Sequence, residues 1–438
     1  MRIRADGTLP TMRDQDSQSP PREGLVLPQL RRARAIARTL HRLRGKTSRV
    51  RFISQLVFLI PATLIALLAR LLRPIVVVNV LQLNENRVGH LATNPEISRL
   101  ELQRRTTTTG RPHLLVFFAA SRNSANDALL GAWTTNYGTI WGSWGWAAHA
   151  AMNALNRPEP QNWDTDHPTW DFLDHTSPPF DLTISQRDEM HRFLDDQGID
   201  PERFVCLHVR DAGFRIKKER RHSYRNVELD SFNLAVEELL ADDFSIIRMG
   251  SPLSTPLTSP RSGLIDYAHL PTRSATLDLA LGASCTLCIS TGSGFDNIPL
   301  VFRRPMLYVE HAPWAHLVLF TRRSVVRPRH LVDATTGATL SITEAVQRGV
   351  FAAQHGDIFA AARVRIDPAM PEEIAVSVRE ALGLHLDSTT LTAQEMAKQI
   401  EAKRLLTLAG AGLGRPAHVC TVGTISPSFL RSHPEWAS

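Results

Sequence analysis

Short apolar runs that alternate with helical segments are the main pattern in the sequence from Pro74 onward. The β-branched run 75–83 and the apolar run 114–120 predict buried parallel strands with a helix between them. A second series begins at Arg203; its predicted strands are 204–210, 244–250, 286–291 and 304–310, and its predicted helices are 229–242, 276–284 and 294–302. This alternation predicts an α/β fold with two doubly wound parallel sheets that face a cleft.

The length of the chain and these two series suggest a division into segments. A chain of 438 residues is too long for one ordinary core. We expect an N-terminal α/β domain over 74–200 and a C-terminal α/β domain over 201–388. A helical tail over 389–438 is expected to pack back on the first domain. Before the domains come a basic segment, 1–50, expected to be disordered over its first part, and an apolar segment, 51–73.

The apolar segment is a candidate membrane contact. Residues 52–69 carry no charge, Pro61 lies inside them, and Arg70 and Arg73 follow. Their length is at the lower edge of what spans a bilayer. We expect a helix or helix pair that enters one leaflet at the cytoplasmic face of the inner membrane and returns, as a peripheral or monotopic contact. A single-pass span and a core or partner-facing helix stay open; a span would place everything after residue 72 outside.

Basic charge is concentrated in one part of the sequence. The chain has 50 Lys and Arg against 43 Asp and Glu, and nine of the basic residues lie between Arg31 and Arg51 with no acid among them. The remainder is close to neutral, so the charge describes one segment and not a nucleic-acid-binding face. We expect a membrane surface as a partner, and no nucleic acid.

The cysteines do not predict a disulfide framework or a zinc site. Cys206, Cys285, Cys288 and Cys420 are scattered, and the Cys285–Cys288 pair has no second pair or histidines at ligand spacing. We interpret the pair as small residues on a buried strand in a reduced, cytosolic setting.

Polar residues at the end of the strand 204–210 form the first candidate site. His208, Arg210 and Asp211 end an apolar strand, and a charge placed there must meet an anion or pay a desolvation cost. The planar guanidinium of Arg210 suits a diphosphate. Asp211 would orient it or bind a sugar hydroxyl. A structural Arg–Asp pair at a domain seam stays open.

A glycine-containing turn after the strand 286–291 forms the second candidate site. A strand, a small-residue turn and a helix start point backbone N–H groups at a phosphate. An ordinary β–α turn stays open as the alternative. The predicted donor-binding residues in this turn are Ser290, Thr291, Gly292, Ser293, Gly294, Asp296 and Asn297.

The polar end of the strand 75–83 forms the predicted acceptor side. Gly89 permits a close approach, and His90 lies where an acceptor hydroxyl could lose its proton. Glu96 is the alternative base, and a structural histidine stays open.

A polar loop over 221–232 either closes over the donor or faces solvent. Gly250, at the end of the next strand, is expected to line the same cleft, and His311 is a further cleft candidate. The planar side chains of the loop are His222, Tyr224, Arg225 and Asn226.

Several motifs occur together along the chain: RVGHLATNPE, CLHVRDAGF, HSYRNVELDSFNLAVEEL, IIRMG, STGSGFDNIPLVFRRPMLYVE and ISPSFLRSHPEW. In this combination the chain, from about Arg51 to its end, resembles a family of bacterial glycosyltransferases associated with surface polysaccharides. More distantly, residues 208–211 are similar to the His-x-Arg element of fucosyltransferases with the two-domain GT-B architecture. That resemblance implies a GT-B-like fold and a contact between Arg210 and the donor diphosphate. Those enzymes often carry a second arginine where this chain has Asp211, which argues against GDP-fucose.

These observations predict a glycosyltransferase that moves a sugar from a nucleotide-sugar donor to a membrane-associated acceptor, a saccharide or a lipid-linked saccharide. His90, Arg210 and Asp211 are the predicted catalytic residues, with His208, Tyr224, Arg225 and Gly250 as donor contacts beside the turn. The resemblance implies a metal-independent reaction, and no Asp-x-Asp element argues for a metal or other cofactor. A non-catalytic nucleotide- or sugar-phosphate-binding scaffold at the membrane is the alternative.

Overall fold

The structure is a computed structural model that describes residues 49–156, 173–211, 223–251, 256–257, 261–386, 389–414 and 422–438. In these residues the chain forms a three-stranded sheet, a seven-stranded sheet and a two-stranded pair. All but the last two residues of the basic segment 1–50, together with Cys420 and His222, lie outside the described residues.

The first sheet is parallel throughout and has the strand order β1-β2-β3. Its strands are β1 (Val77–Gln82), β2 (His113–Ala119) and β3 (Thr139–Trp141). Its helices are α1 (Arg49–Leu71), α2 (Val88–Thr109), α3 (Asp127–Asn136) and α4 (Gly142–Asn156).

Side chains alternate between the two faces of the first sheet, as the period of a strand requires. Val80 and Phe118 pack with α4 and α1 on the outer face. Leu81 and Phe117 pack with α2 and α3 on the inner face. The α/β prediction for this part of the chain is confirmed, with helices on both faces of a small parallel sheet.

The apolar segment forms one continuous helix, α1, that includes Pro61. It does not form the helix pair that was one predicted arrangement, because the chain runs without interruption from Arg49 to Leu71. Ala62 and Ala66 are buried against α4, and this packing stabilises the helix across its proline.

The second sheet is also parallel, with the order β12-β9-β8-β7-β4-β5-β6. The chain enters at β4 in the middle, adds β5 and β6 on one side, and then crosses back to add β7, β8, β9 and β12 on the other. The order therefore reverses between β4 and β7, which is the topological switch point of this sheet. The strands are β4 (Phe204–His208), β5 (Ser245–Arg248), β6 (Leu264–Ile265), β7 (Leu287–Ser290), β8 (Met306–His311), β9 (Ser324–Pro328) and β12 (Thr424–Ile425).

Helices flank this sheet on both faces, and an antiparallel pair, β10 (His330–Asp333) with β11 (Val364–Asp367), follows β9. The helices are α5 (Ile184–Asp196), α6 (Asn233–Ala241), α7 (Ala275–Ser284), α8 (Asn297–Val301), α9 (Ile342–Gln347), α10 (Gly356–Ala361), α11 (Pro371–His385), α12 (Ala393–Ala411) and α13 (Pro427–Ser432). Short 3₁₀ turns cover Ser223–Arg225, Leu229–Phe232, Tyr267–His269, Trp314–His316 and Pro434–Ala437.

The C-terminal tail belongs to the second sheet. Ala402 and Leu406 of α12 are buried in the core of that sheet, and Ile425 of β12 pairs with Val326 of β9. The expectation that the tail packs back on the first domain is therefore wrong. Trp436 completes the core by packing edge-on against Trp314.

The two sheets share a buried interface. Leu91 of α2 and Trp133 of α3 lie in one apolar cluster with Ile298 and Val301 of α8. Such continuous burial fixes the inner face of the first sheet against the helices of the second.

Close packing of α4 on the first sheet generates a test. A Cβ at Gly145 would lie 2.7 Å from the carbonyl oxygen of Ile140 and 2.9 Å from the ring of Phe118. Gly145→Ala should therefore lower the free energy of unfolding by about 1–3 kcal/mol, measured by urea denaturation.

Gly131→Ala is the matched control, because it lies inside α3 and a Cβ there meets nothing within 4 Å. It should raise the free energy of unfolding by roughly 0.5–1 kcal/mol through helix propensity. A Gly145→Ala protein as stable as the Gly131→Ala protein would contradict the packing of α4.

Candidate functional site

The carboxyl ends of β4 and β7 bring the first two predicted sites together. His208 and Ser290 are partners in the parallel ladder. The N–H of Arg210 donates to Oγ1 of Thr291 at 2.9 Å, and the N–H of Thr291 donates to the carbonyl of His208 at 3.2 Å. We call the region formed by residues 208–211 and 290–294 the switch-point crevice, because ligands of open parallel sheets bind at this position.

Two arginines lie beside the glycine turn of this crevice. Arg210 is partly exposed, and its Nε donates to Oδ1 of Asn226 at 3.3 Å. Arg225 donates to the carbonyl of Gly292, a residue whose φ of 78° favours glycine. The polar loop predicted over 221–232 thus reaches the crevice through its described part.

The backbone N–H groups of the turn are engaged within the chain. Gly292 N–H donates to Oγ of Ser290 at 3.0 Å, and Ser293 N–H donates to Oδ2 of Asp296 at 2.8 Å. Together with the Thr291 bond to His208, this occupies the amides that the sequence pattern offered to a phosphate. The predicted phosphate cradle is therefore wrong for residues 291–293, because their amides already donate to acceptors within the chain.

Asp296 is a buried carboxyl group at the centre of the turn. Burial raises its pKa to about 6, although the Ser290 hydroxyl and the Ser293 amide both donate to it. Asn297 donates from Nδ2 to Oδ1 of Asp296 at 2.8 Å. Ser290, Asp296 and Asn297 therefore shape the turn from inside, and the short helix α8 begins directly after it.

Two buried histidines flank the turn. Burial lowers the pKa of His208 to about 4, and the charges of Arg248 and Arg210 lower it further. Burial lowers the pKa of His311 to about 3, with Arg225 as the next cause. His311 lies so near Gly292 that a Cβ there would come within 3.0 Å of its ring. Both imidazoles are therefore neutral at pH 7.

Asp211 pairs with an arginine that the sequence interpretation missed. Arg248, at the end of β5, is buried; it donates to Asp211 at 3.3 Å and to Asp266 at 2.8 Å. Asp211 is itself buried and pairs with Arg248 within the second sheet, which is not the Arg–Asp pair at a domain seam that the sequence left open. An arginine inside the apolar run 244–250 was the signal that could have indicated this pair. Gly250 follows, and its carbonyl accepts from Arg273 at 3.1 Å.

Arg329 holds the segment 224–226 in place through hydrogen bonds to its backbone. Its guanidinium donates to the carbonyls of Tyr224 and Asn226 and lies 2.9 Å from Oε2 of the buried Glu310. Because the partners are about a hundred positions apart in the sequence, nothing local to either residue predicts the contact.

A cavity of about 360 Å³ opens beside this segment. One wall is aromatic, since the rings of Tyr224 and Phe359 lie 5.4 Å apart. The remaining lining residues are Arg329, Gly356, Ala360, Val364 and Ile366. Tyr224 directly precedes Arg225, which donates to the carbonyl of Gly292 in the switch-point crevice.

The predicted acceptor side lies directly across the glycine turn. A Cβ at Gly89 would lie 3.2 Å from Cα of Gly294 and 3.0 Å from Nδ2 of Asn297, so the start of α2 touches the turn with backbone. His90 is exposed, and its Nδ1 lies 3.4 Å from Oδ1 of Asn94.

Glu96 is not available as a base. It is fully buried, it forms two hydrogen bonds of 2.7 and 2.8 Å with Arg99, and it accepts from Arg303. Its position joins α2 to the loop after α8, so its role is structural and the prediction of a rival base is wrong.

One further cluster of the described residues could hold a metal ion: His330, Glu373 and His433, whose ligand atoms lie within 4.8 Å of one another. Arg327 already donates to Glu373, and its guanidinium lies 3.5 Å from Nε2 of His330. A guanidinium at this distance repels a metal cation and neutralises the only carboxylate of the cluster.

The buried histidines generate a prediction about stability and pH. The pKa of an imidazole in the unfolded chain is about 6.5. In the folded chain, burial lowers the pKa of His208 to about 4 and that of His311 to about 3. As the pH falls below about 6.5, the unfolded chain takes up protons that the folded chain does not, so the free energy of unfolding decreases. Asp296 acts in the opposite sense, because its raised pKa lets the folded chain take up a proton below pH 6.

The double variant His208→Gln, His311→Gln should lose less stability than the unsubstituted chain between pH 7 and pH 5, as measured by urea denaturation at each pH. Equal losses in the two proteins would show that these imidazoles are not held neutral in the folded state.

Known proteins offer distant likenesses to this chain. No protein-family model matches it, and no curated protein matches it. Among solved structures it is similar to the ADP-heptose LPS heptosyltransferase II of E. coli, at 13% identity over 71% of this chain and 99% of that chain, with a TM-score of 0.36. It is also similar to a family 9 glycosyl transferase from Veillonella parvula DSM 2008 (9% identity, 53% and 79% coverage, TM-score 0.31) and to the wall teichoic acid polymerase TagF (8%, 53% and 69%, 0.24). Likenesses of this size carry no argument about residues or substrates.

Proposed function

We propose that this chain is a glycosyltransferase of the GT-B type that takes a sugar from a nucleotide-sugar donor and transfers it to a saccharide or lipid-linked acceptor. The observation that carries the proposal is the pair of guanidinium groups, Arg210 and Arg225, beside the glycine turn at the switch point of a parallel sheet. Parallel sheets bind nucleotides at this position, and guanidinium groups match the geometry of a diphosphate.

The two arginines would act on the leaving group. Breaking the bond between the sugar and the diphosphate leaves negative charge on the diphosphate oxygens. Cations fixed before the reaction stabilise that charge without the cost of reorganisation. Arg210 is fixed through Asn226 and Arg225 through the carbonyl of Gly292, so both are held in place. In this proposal arginines neutralise the leaving group, and no metal ion is required.

The cavity beside Tyr224 would hold the nucleoside. Its volume of about 360 Å³ falls within the range of small-molecule sites, and its aromatic and aliphatic walls suit a planar base. Because Tyr224 directly precedes Arg225, a nucleoside in the cavity would point its diphosphate at the crevice. This arrangement assigns the base to the segment that Arg329 holds in place.

The acceptor would approach from the first sheet. His90 at the start of α2 is exposed and lies next to Gly89, which touches Gly294. An imidazole at that position would take the proton from an acceptor hydroxyl as the sugar is transferred. The two sheets would then have separate tasks, with the donor on the second and the acceptor on the first.

Removing the Arg210 side chain tests the catalytic proposal. Arg210→Ala should lower kcat by about 10²–10³-fold, the cost of losing one donor to a developing charge, with the melting temperature nearly unchanged. Donor hydrolysis on a panel of GDP-, UDP-, CDP- and ADP-sugars is the measurement. Arg404→Ala on α12, whose ion pair is exposed, is the control and should keep full activity. Turnover by Arg210→Ala at the control's rate would refute the role.

Blocking the cavity tests the nucleoside site separately. Ala360 is exposed at the cavity wall, so Ala360→Trp should fill the cavity at little cost in stability and weaken nucleotide binding at least about tenfold, or roughly 1.4 kcal/mol. Calorimetry with the nucleoside diphosphates measures it, and Ala360→Ser is the control. Unchanged affinity in Ala360→Trp would place the base elsewhere, and binding without turnover on any donor would favour the non-catalytic scaffold.

A further inference from the structure

Helix α1 leaves a long apolar face uncovered. Ile60, Leu64 and Leu71 are 72%, 63% and 77% exposed, and with Val57 and Leu68 they recur at the spacing of one helix face. The stretch Ser54–Leu71 is long and apolar enough to cross a membrane by length and composition. An exposed apolar surface of this extent marks a contact with a membrane or another molecule.

The opposite face of α1 is fastened to the protein along its length. Ala66 is 0% exposed against α4, and Oγ of Ser54 lies 2.8 Å from Oγ of Ser143 near the start of the helix. In the middle, Phe58 packs edge-on against Trp144 at 5.6 Å. Near the end, Arg70 donates to the carbonyl of Leu155.

This packing argues against a helix that crosses the bilayer. α1, α4 and the first sheet share one apolar cluster, in which Val80 and Phe118 pack with Ala66. A spanning α1 would have to leave α4 or carry α4 and the sheet into the hydrocarbon, where strand edges cannot satisfy their hydrogen bonds. A helix that lies flat keeps α4 and still places its outer face in lipid.

Charge identifies the kind of surface. Residues 49–73 contain no acid, and their four arginines stand at the two ends, Arg49 and Arg51 before the apolar stretch and Arg70 and Arg73 after it. Seven more basic residues lie between Arg31 and Lys46. A helix with an apolar face and basic flanks is attracted to anionic headgroups while its apolar side chains enter the acyl boundary.

We propose that α1 lies in the plane of an anionic phospholipid surface, with the stripe Val57, Ile60, Leu64, Leu68 and Leu71 immersed and the basic ends of the helix at the level of the headgroups. The inference does not depend on the reaction, because α1 lies on the outer face of the first sheet and the switch-point crevice lies beyond the inner face.

Vesicle binding by the full chain tests the docking. Vesicles of phosphatidylcholine with phosphatidylglycerol should bind the protein at least about tenfold more tightly than phosphatidylcholine alone, and added salt should weaken the binding. Ile60→Glu with Leu64→Glu should lower the affinity at least about tenfold. The control is Ile400→Glu with Leu408→Glu on α12, which are 69% and 57% exposed; it should bind as the unsubstituted chain does. Unaltered vesicle binding by the α1 variant would overturn the proposal. It would also be overturned if the unsubstituted chain self-associated without binding vesicles and the α1 substitutions abolished that self-association.

Depth measurements separate a flat helix from a crossing one. Nitroxide labels at Val57→Cys, Leu64→Cys and Leu71→Cys should report one shallow depth in the bilayer, relative to the labelled unsubstituted chain. A span would place the label at residue 64 deep and the labels nearer the two ends shallow. That profile, or labels that never meet lipid, would overturn the in-plane position. Nucleotide affinity measured on the same variants should not change, so failure of this proposal is distinguishable from failure of the proposed reaction.

Discussion

The parallel pairing of β4 with β7 is the interaction on which the candidate site depends. These strands are distant in sequence, yet the ladder places Leu207 opposite Ile289 and His208 opposite Ser290. All four side chains are buried, so the register is set by the core, and a slip of one position would exchange the side chains packed on the two faces of the sheet. The same register brings Thr291 beside the end of β4, where it accepts from the N–H of Arg210 and donates to the carbonyl of His208. The position of Arg210 in the crevice therefore depends on the pairing of β4 with β7.

A second constraint is the contact between the two sheets. Gly89 and Gly294 approach each other with backbone alone, whereas around them Glu96, Arg99 and Arg303 form a buried ion cluster. Burial of charges is costly unless each has its partner, so this cluster favours one relative position of α2 and α8. The start of α2 and the glycine turn are thus joined at a point where Gly89 and Gly294 meet through backbone.

Much of the architecture was predictable from the sequence, because parallel strands buried on both faces are continuous apolar runs. The runs at 204–210 and 286–291 contain β4 and β7, and the run at 304–310 contains all of β8 except His311. The ends of helices were less predictable: the helix expected over 294–302 is confined to Asn297–Val301, because Asp296 turns back to the amide of Ser293. The candidate residues at the strand ends could be identified from composition, because charged residues directly after apolar runs stand out in the sequence.

What the sequence could not reveal is which charge meets which. Arg248 forms an ion pair with Asp211, and Arg329 donates to the carbonyls of residues 224 and 226, in each case across a long separation in the chain. Pairings of this kind are decided by strand order, and strand order follows from tertiary packing that local patterns do not contain. The turn at residues 291–293 shows the same limit, because its glycine was evident from the sequence and the internal partners of its amides were not.

The packing of α1 on α4 also bears on how the exposed apolar surface of this protein could be removed. Deleting everything up to Leu71 would remove the outer apolar stripe, but Ala147, Ala151 and Met152, which share a core with Ala62 and Ala66, would lose their cover. A truncated chain would expose the apolar face of α4 in place of the apolar face of α1 and would aggregate through it. Polar replacements along the outer stripe, with the helix retained, would leave that inner seam closed.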